Sequence, residues 1–232
     1  MNKDILVLPV GGSASRMLGL PKFMLPTSES ETLIESHCRG AIAAGYDELH
    51  VITKQEYVNL IESYFAVRKI KAHIHSLPYE TKTMSETLKI GAGLIKDIAK
   101  SSVTIGLSDT AFYGASYESI YRKLIEDSAD HTLGLFSIRE DQFGKLGQVD
   151  IDGKGKVLSM QDKNLKCTFP AIWGLAKVPG TMLNNLNVSD AHIGIGLEKL
   201  VADGEQISGV LNDAEYYDCG TFSEYKLFLN RH

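Results

Sequence analysis

Residues 5–26 read Ile-Leu-Val-Leu-Pro-Val-Gly-Gly-Ser-Ala-Ser-Arg-Met-Leu-Gly-Leu-Pro-Lys-Phe-Met-Leu-Pro. The run Ile5–Val10 has strand length and ends at glycine, which reads as a buried strand. It opens directly into Gly11-Gly12-Ser13-Ala14-Ser15-Arg16, a turn of small residues. Such a turn lets backbone N–H groups approach a ligand with no side chain in the way. Arg16 can fork onto two phosphate oxygens, and Lys22, after Pro21, can add a point charge on the same group. The combination suits a nucleoside triphosphate. Neither G-x-x-x-x-G-K-[ST] nor G-x-G-x-x-G is present, so the turn is neither a P-loop nor a dinucleotide fingerprint. The plain alternative is a tight turn with two surface cations. Turn, arginine and Pro-Lys occurring in that order tell against it.

Outward from this stretch, strand-like runs alternate with helical patterns. Thr32 to Ala44 carries an apolar stripe and ends at Gly45, a helix with a glycine stop. Leu49–Thr53, Ala72–Ser76 and Val103–Leu107 read as strands, and Gln55–Phe65 and Glu86–Ala99 as helices. The order βαβαβαβ implies parallel strands, right-handed crossovers and helices on both faces. Pro9 is tolerable only where the first strand is about to leave the sheet. Gly91 and Gly93 weaken their helix and suggest close packing on the sheet. In the second half Leu133–Ser137, Ile172–Ala176 and Gln206–Leu211 read as strands, Ala191–Ala202 and Thr221–Asn230 as helices. Gln148–Ile151 and Val157–Met160 flank Asp152-Gly153-Lys154-Gly155-Lys156, a hairpin signal. No linker, repeat or low-complexity segment divides the chain. One domain is expected over residues 1–232, with a nucleotide-binding half (1–115) and an acceptor-binding half (116–232).

The chain of 232 residues, 44% hydrophobic and 23% charged, is ordinary for a soluble globular protein. A net charge of −5 gives no bulk basic field for nucleic acid, so positive potential for a phosphate ligand must be local. Three cysteines without C-x-x-C spacing read as free thiols of a reducing compartment. No apolar run reaches membrane-spanning length, and the first apolar run is too short for a signal peptide. A cytoplasmic protein without membrane or nucleic-acid partners is the expectation.

Ligands of open α/β sheets gather at the carboxyl ends of the strands. The Gly11–Arg16 turn falls there, and so does Asp109 in Ser108-Asp109-Thr110. Asp109 could cap a helix or, as a hard oxygen ligand, hold Mg²⁺ against triphosphate oxygens. Asp218, in Tyr216-Tyr217-Asp218-Cys219-Gly220-Thr221, could share that ion, or it could cap the last helix, a job Thr221 can also do. Lys163, in Gln161-Asp162-Lys163-Asn164, could neutralise an acceptor phosphate or simply be solvated. Thr83-Met84-Ser85-Glu86 is a capping box that starts a helix, and its N-terminus could also offer polar groups to a base. The seven histidines form no H-x-x-x-H pattern, and no nucleophile elbow is present. Histidine metal sites and covalent catalysis are therefore not indicated.

At these residues the sequence resembles the sugar-phosphate nucleotidyltransferases, most closely the glucose-1-phosphate thymidylyl/uridylyltransferase branch. Gly11-Gly12-Ser13-Ala14-Ser15-Arg16 with Pro21-Lys22-Phe23-Met24-Leu25-Pro26 is similar to the signature loop. Ser108-Asp109-Thr110-Ala111-Phe112-Tyr113-Gly114 resembles the Gly-Asp-Asn-Ile-Phe-Tyr-Gly segment. Gly147-Gln148-Val149 with Asp162-Lys163 resembles the Tyr-Gly-Val strand and Glu-Lys-Pro motif. Tyr217-Asp218-Cys219-Gly220-Thr221 resembles the Asp-x-Gly-Thr metal motif, and Ser189-Asp190-Ala191 the Thr-Asp helix. The resemblance implies a Rossmann-like nucleotidyltransferase fold, a mixed, mostly parallel central sheet with helices on both faces and a small β-hairpin subregion. It implies nucleotide binding at Val10, Gly11, Gly12, Ser13, Ala14 and Ser15, together with Arg16, Lys22, Thr83 and Ser108. It implies acceptor binding at Gly147, Asp162, Lys163 and Trp173, Mg²⁺ on Asp109 and Asp218, and catalytic roles for Arg16, Lys22, Asp109 and Lys163.

The chain departs from the pattern in places. The Arg16–Pro21 segment is shorter, Lys82 and Met84 replace small residues near the base, and Asn164 replaces a proline. Trp173 stands where a small polar residue precedes Gly174, and an indole there shrinks or reshapes the sugar pocket. The chain also ends soon after the Asp-Gly-Thr motif, without the family's extra C-terminal helices. The expected reaction joins a nucleoside triphosphate to a sugar 1-phosphate, giving a nucleotide sugar and pyrophosphate. The alternative is a cytidylyltransferase acting on a small non-sugar phosphate. A glycosyltransferase would leave Arg16 and Lys22 surplus, and a decayed regulatory subunit would not need all five charged residues. A homo-oligomer is left open.

Overall fold

A computed structural model describes residues 3–12 and 15–231 of the chain. In chain order the elements are β1 (Asp4–Val10), α1 (Leu33–Ala44), β2 (Glu48–Thr53), α2 (Gln55–Arg68), β3 (His73–Ser76), α3 (Met84–Leu94), β4 (Ser102–Gly106) and β5 (Thr110–Tyr113). There follow α4 (Tyr117–Glu126), β6 (Thr132–Ser137), β7 (Gly147–Ile151), β8 (Val157–Asp162), β9 (Ala171–Pro179), α5 (Gly180–Asn184), α6 (Ile193–Ala202), β10 (Ser208–Asn212), β11 (Glu215–Asp218) and α7 (Phe222–Leu229). The main sheet runs β10-β6-β9-β4-β1-β2-β3, with β7 joined to β9 and β8 joined to β7. The four strands β4, β1, β2 and β3 pair in parallel, as the βαβαβαβ pattern requires. β9 is antiparallel to both β4 and β6, and β10 returns parallel to β6. The result is the expected mixed, mostly parallel sheet with a β7–β8 hairpin on its flank.

Alternation along β1 decides which helices cover which face, because successive side chains of a strand point to opposite sides. Ile5 and Val7 join one core with Leu88 and Ala92 of α3, Leu183 of α5 and Leu197 of α6. Leu6, Leu8 and Val10 join another with Ile34 and Cys38 of α1, Ile61 and Phe65 of α2, and Tyr121 and Leu124 of α4. A third, smaller cluster ties Met17 and Leu33 to Ala111, Tyr217 and Phe228, and so seats the β5–β11 ribbon beside the opening loop.

Three local expectations change. The helix read as Glu86–Ala99 is α3, which stops at Leu94; Ile95 leaves it in an extended conformation and a separate 3-10 turn forms at Ile98–Lys100. Gly91 alone accounts for close packing, since a Cβ there would lie 2.1 Å from Ile52 Cδ1, whereas Gly93 has no neighbour that a Cβ would meet. The strand β5 and the helix α4 were not read from the sequence, although Ser116 caps α4 by accepting the Ser119 N–H at 3.1 Å. Pro9 is harmless because the β1–β4 register ends at Val7↔Ile105, two residues earlier.

Candidate functional site

Two cavities open where the parallel strands end. The first, about 340 Å³, is lined by Val10, Gly11, Gly12, Lys22, Thr83, Ser108 and Asp109, with Phe23, Tyr57 and Lys82 among its further walls. Gly11 is bare against Thr87, whose Oγ1 a Cβ would approach to 3.3 Å; Gly12 faces open space. Ser13 and Ala14 lie outside the described residues, and Ser15 begins the 3-10 turn Ser15–Met17. Ser108 donates its hydroxyl to the Pro9 carbonyl at 3.2 Å, closing the two strand ends on each other. Thr83 is committed twice over. Its hydroxyl accepts the Glu86 N–H at 3.0 Å as the cap of α3 and donates to the Val188 carbonyl at 2.8 Å. What remains for a ligand is its position on the cavity wall.

Asp109 sits in the tight turn that joins β4 to β5, where the Thr110 N–H and hydroxyl both reach the Leu107 carbonyl. Lys22 Nζ stands 3.2 Å from Asp109 Oδ2. The β5–β11 pairing sets Asp218 opposite Thr110, and the Cys219 N–H donates to the Asp109 carbonyl at 2.9 Å. The two acids are therefore neighbours across a two-stranded ribbon, from positions 109 residues apart in the chain. Burial and the charge of Asp109 push the Asp218 carboxyl above the usual carboxylate range, against the opposing pull of the Gly220 N–H, Arg16 and Lys22. Asp218 caps no helix: its Oδ1 accepts the Gly220 N–H at 3.0 Å, while Thr221 caps α7. Behind the turn, fully buried His37 donates Nε2–H to the Thr110 carbonyl at 3.0 Å and accepts the Tyr121 hydroxyl at Nδ1, 2.6 Å. Sequence reasoning left His37 without a role; its partners are 73 and 84 residues away.

The second cavity, about 170 Å³, holds Arg16, Asp109, Gly147, Asp162, Lys163, Trp173, His192 and Asp218. Arg16 thus lines this side of the junction, and its Nη2 would stand 3.2 Å from a Cβ on Gly220. Lys163 adopts the left-handed region at φ 48°, a strained backbone for a residue with a side chain, and its N–H reaches the Leu146 carbonyl at 3.3 Å. Asp162 Oδ2 accepts His192 Nε2–H at 3.0 Å. His192 also lines this cavity, a position that sequence reasoning did not foresee. It is the N-cap residue of α6, and only the fold brings it to β8.

Asp109 and Asp218 offer hard carboxylate oxygens beside the places expected for phosphate, a donor set that fits Mg²⁺, which keeps few protein ligands. Among the described residues no group of three His, Cys, Asp or Glu side chains could hold a metal alone, so two carboxylates would need ligand or water oxygens to complete a shell. No described helix is long and apolar enough to cross a membrane.

A family model described as Nucleotidyl transferase matches residues 5–227. No curated protein sequence matches the chain. Among solved structures, a UDP-glucose pyrophosphorylase complexed with UDP-glucose aligns with TM-score 0.81 at 19% identity, covering 100% of this chain and 98% of that one. A UTP-bound UGPase from Acinetobacter baumannii aligns with TM-score 0.75 at 15% identity, covering 100% and 93%. A provisionally assigned glucose-1-phosphate thymidylyltransferase from Bacillus anthracis, in complex with a sucrose, aligns with TM-score 0.77 at 11% identity, covering 98% and 94%.

Proposed function

Because the chain belongs to the nucleotidyl transferase family, we propose that it joins a nucleoside triphosphate to a sugar 1-phosphate, releasing pyrophosphate and a nucleotide sugar. The observation that carries this reading is the place of Asp109. It lines both cavities, the one behind the glycine turn and the one with Lys163 and Asp162. Two phosphorylated ligands seated on either side of it would meet there. In the reaction an acceptor phosphate oxygen forms a bond to the α-phosphorus while the bond to the pyrophosphate oxygen breaks in line. The acceptor phosphate has a second pKa of about 6, so it is already largely ionised at neutral pH and no general base is needed.

The chain's work is then to hold two anions together. The backbone of Gly11 and Gly12 takes the triphosphate, with residues 1–115 as the donor half. Lys22 exchanges Asp109 for phosphate oxygens. Arg16 and Lys163 screen the acceptor phosphate, with residues 116–232 as the acceptor half. Asp109 and Asp218 would hold Mg²⁺, which when bound supplies further screening of the phosphate charge. The three free cysteines are all buried, and a cytoplasmic setting with its nucleotide pool suits the reading.

The test is a donor-by-acceptor panel read by pyrophosphate release. It should include CTP with small non-sugar phosphates, because a bulky indole, Trp173, lines the second cavity. Turnover with a sugar 1-phosphate is expected. Asp109→Asn should lower turnover by orders of magnitude with unchanged thermal unfolding, and near-normal turnover of that variant would refute the role of the acid pair.

A further inference from the structure

We infer that His192, with Trp173, sets which acceptor the second cavity takes, by reading the end of the molecule that carries no phosphate. This rests on the reading above, in which that cavity receives a phosphorylated acceptor. Arg16, Lys163 and the acid pair account for the phosphate end. Asp162, His192, Trp173, Thr110 and Tyr216 are the polar side chains left over, and the Thr110 hydroxyl is already spent on the Leu107 carbonyl.

Their hydrogen bonds are specific. Asp162 gives one oxygen to His192 Nε2–H at 3.0 Å, and its other oxygen has no partner among the described residues. Because a carboxylate only accepts, this contact places a proton on His192 Nε2. The His192 and Asp162 side chains are 15% and 18% exposed, so the pair is held at the cavity wall and not in open solvent. Trp173 is 7% exposed, and its Nε1 faces Gly147 on the same wall.

Two glycines show that this wall is built to admit rings. A Cβ on Gly147 would lie 2.2 Å from Trp173 Nε1. A Cβ on Gly194 would lie 2.7 Å from Trp173 Cζ2 and 2.9 Å from His192 Nδ1. Each position is bare where an aromatic edge closes in. His192 is also the N-cap residue of α6, yet its side chain makes no capping bond and reaches across to β8 instead.

On this cavity wall the carboxylate of Asp162 offers an acceptor and the indole of Trp173 a donor. A hydroxyl group answers both at once. A trialkylammonium head can meet the carboxylate charge and the indole face, but it cannot accept from the indole N–H. His192 acts as a positioning residue: it orients Asp162 so that the unengaged oxygen stays available to the acceptor. A site built on such hydrogen bonds rejects analogues that lack the matching group far more strongly than an apolar pocket does.

The experiment uses the full chain with UTP and CTP as donors. The acceptor probes are glucose 1-phosphate, its monodeoxy analogues and phosphocholine, compared for wild type, His192→Gln, His192→Leu and Gly194→Ala. His192→Leu should raise the acceptor KM on the order of tenfold and flatten the preference for hydroxylated over deoxy acceptors. The nucleoside triphosphate KM should not move. His192→Gln, which keeps an N–H at similar reach, should restore most of the wild-type preference. Gly194→Ala should shift the acceptor KM alone, by pushing the two rings apart. If His192→Leu does not fold, the Gln and Gly194→Ala arms decide. Acceptor KM and preference unchanged in the folded variants would make the pair a mere tether of α6 to β8 and overturn the inference. Wild-type turnover confined to phosphocholine would overturn it while nucleotidyl transfer stands. Wild-type turnover with no phosphorylated acceptor would sink the parent reading, and this inference with it.

Discussion

Lys22 illustrates how one residue serves two charge states of the site. Its ammonium lies 3.2 Å from Asp109, so in the absence of ligand one of the two acids is already neutralised. A divalent ion arriving alone would meet Lys22 and Arg16 as well as the acids, and like charges repel at such range. A triphosphate arriving with the ion reverses that balance. Lys22→Met is therefore expected to weaken nucleoside triphosphate binding by at least about tenfold, and to tighten Mn²⁺ binding to the nucleotide-free protein. Calorimetry reads both, and weaker Mn²⁺ binding in the variant would contradict the exchange. Gly147→Ala should likewise be felt at a single site, since its Cβ would come within 2.2 Å of Trp173 Nε1. Loss of acceptor binding without loss of nucleotide binding is the expected pattern, measured by titration with each ligand. At this scale the sequence singled out Lys22, Asp109, Asp218 and Lys163 by residue type and neighbours, and the fold brings them to the walls of the two cavities. The sequence did not disclose His192 or His37, because an imidazole carries no local signature until a distant carboxylate or carbonyl is brought to it.

Among the elements, α1 and α2 are joined by an ion cluster rather than by apolar contact alone. Glu35 on α1 is fully buried, and it accepts from Arg68 on α2 at 2.8 and 2.9 Å, from Tyr64 at 2.6 Å and from Arg39 at 2.7 Å. Burial raises its pKa, and these hydrogen bonds more than offset that, holding it below the ordinary value. Glu35→Ala removes the shared acceptor of two partly exposed arginines and a tyrosine hydroxyl, and should cost about 1–2 kcal/mol. Urea denaturation should show a lower midpoint with an unchanged slope, whereas a shift below roughly 0.5 kcal/mol would mean that the cluster is only a surface network. Helices with capping threonines were legible, as Thr83 and Thr221 show. β5 escaped notice because its four residues form no sheet with their chain neighbours; they pair with β11, about a hundred residues on, as the register Asp218↔Thr110 records. α3 was read too long because its apolar pattern continues into Ile95 and Ile98, which stay buried after the helix has ended.

Across the whole molecule, buried imidazoles tie stability to pH. Burial lowers His37 to about 4, with the Thr110 carbonyl and Asp109 opposing it only in part. Burial, helped by neighbouring His75 and His73, lowers His50 to about 4 against the pull of Glu48. A histidine with a depressed folded pKa leaves the unfolded chain binding more protons between its ordinary 6.5 and that folded value. Stability is therefore intact above pH 6.5 and should fall as pH drops toward 4, by up to about 1.4 kcal/mol per pH unit for each group. Denaturant midpoints measured across that window test this, and His37→Gln should flatten the slope. A midpoint that rises on acidification would contradict it. By itself the sequence determined the parallel βαβ order, the glycine turn at the first strand end and the charged residues that gather there. These follow from short-range periods and from residue types whose chemistry does not depend on context. Only the tertiary structure decided that β5 and β11 form a ribbon that sets Asp218 beside Asp109, that Arg16 lines the second cavity with that pair, and that His192 answers Asp162. Each of these joins positions tens to about two hundred residues apart, and such contacts are selected by the burial of the whole sheet, which no local pattern encodes.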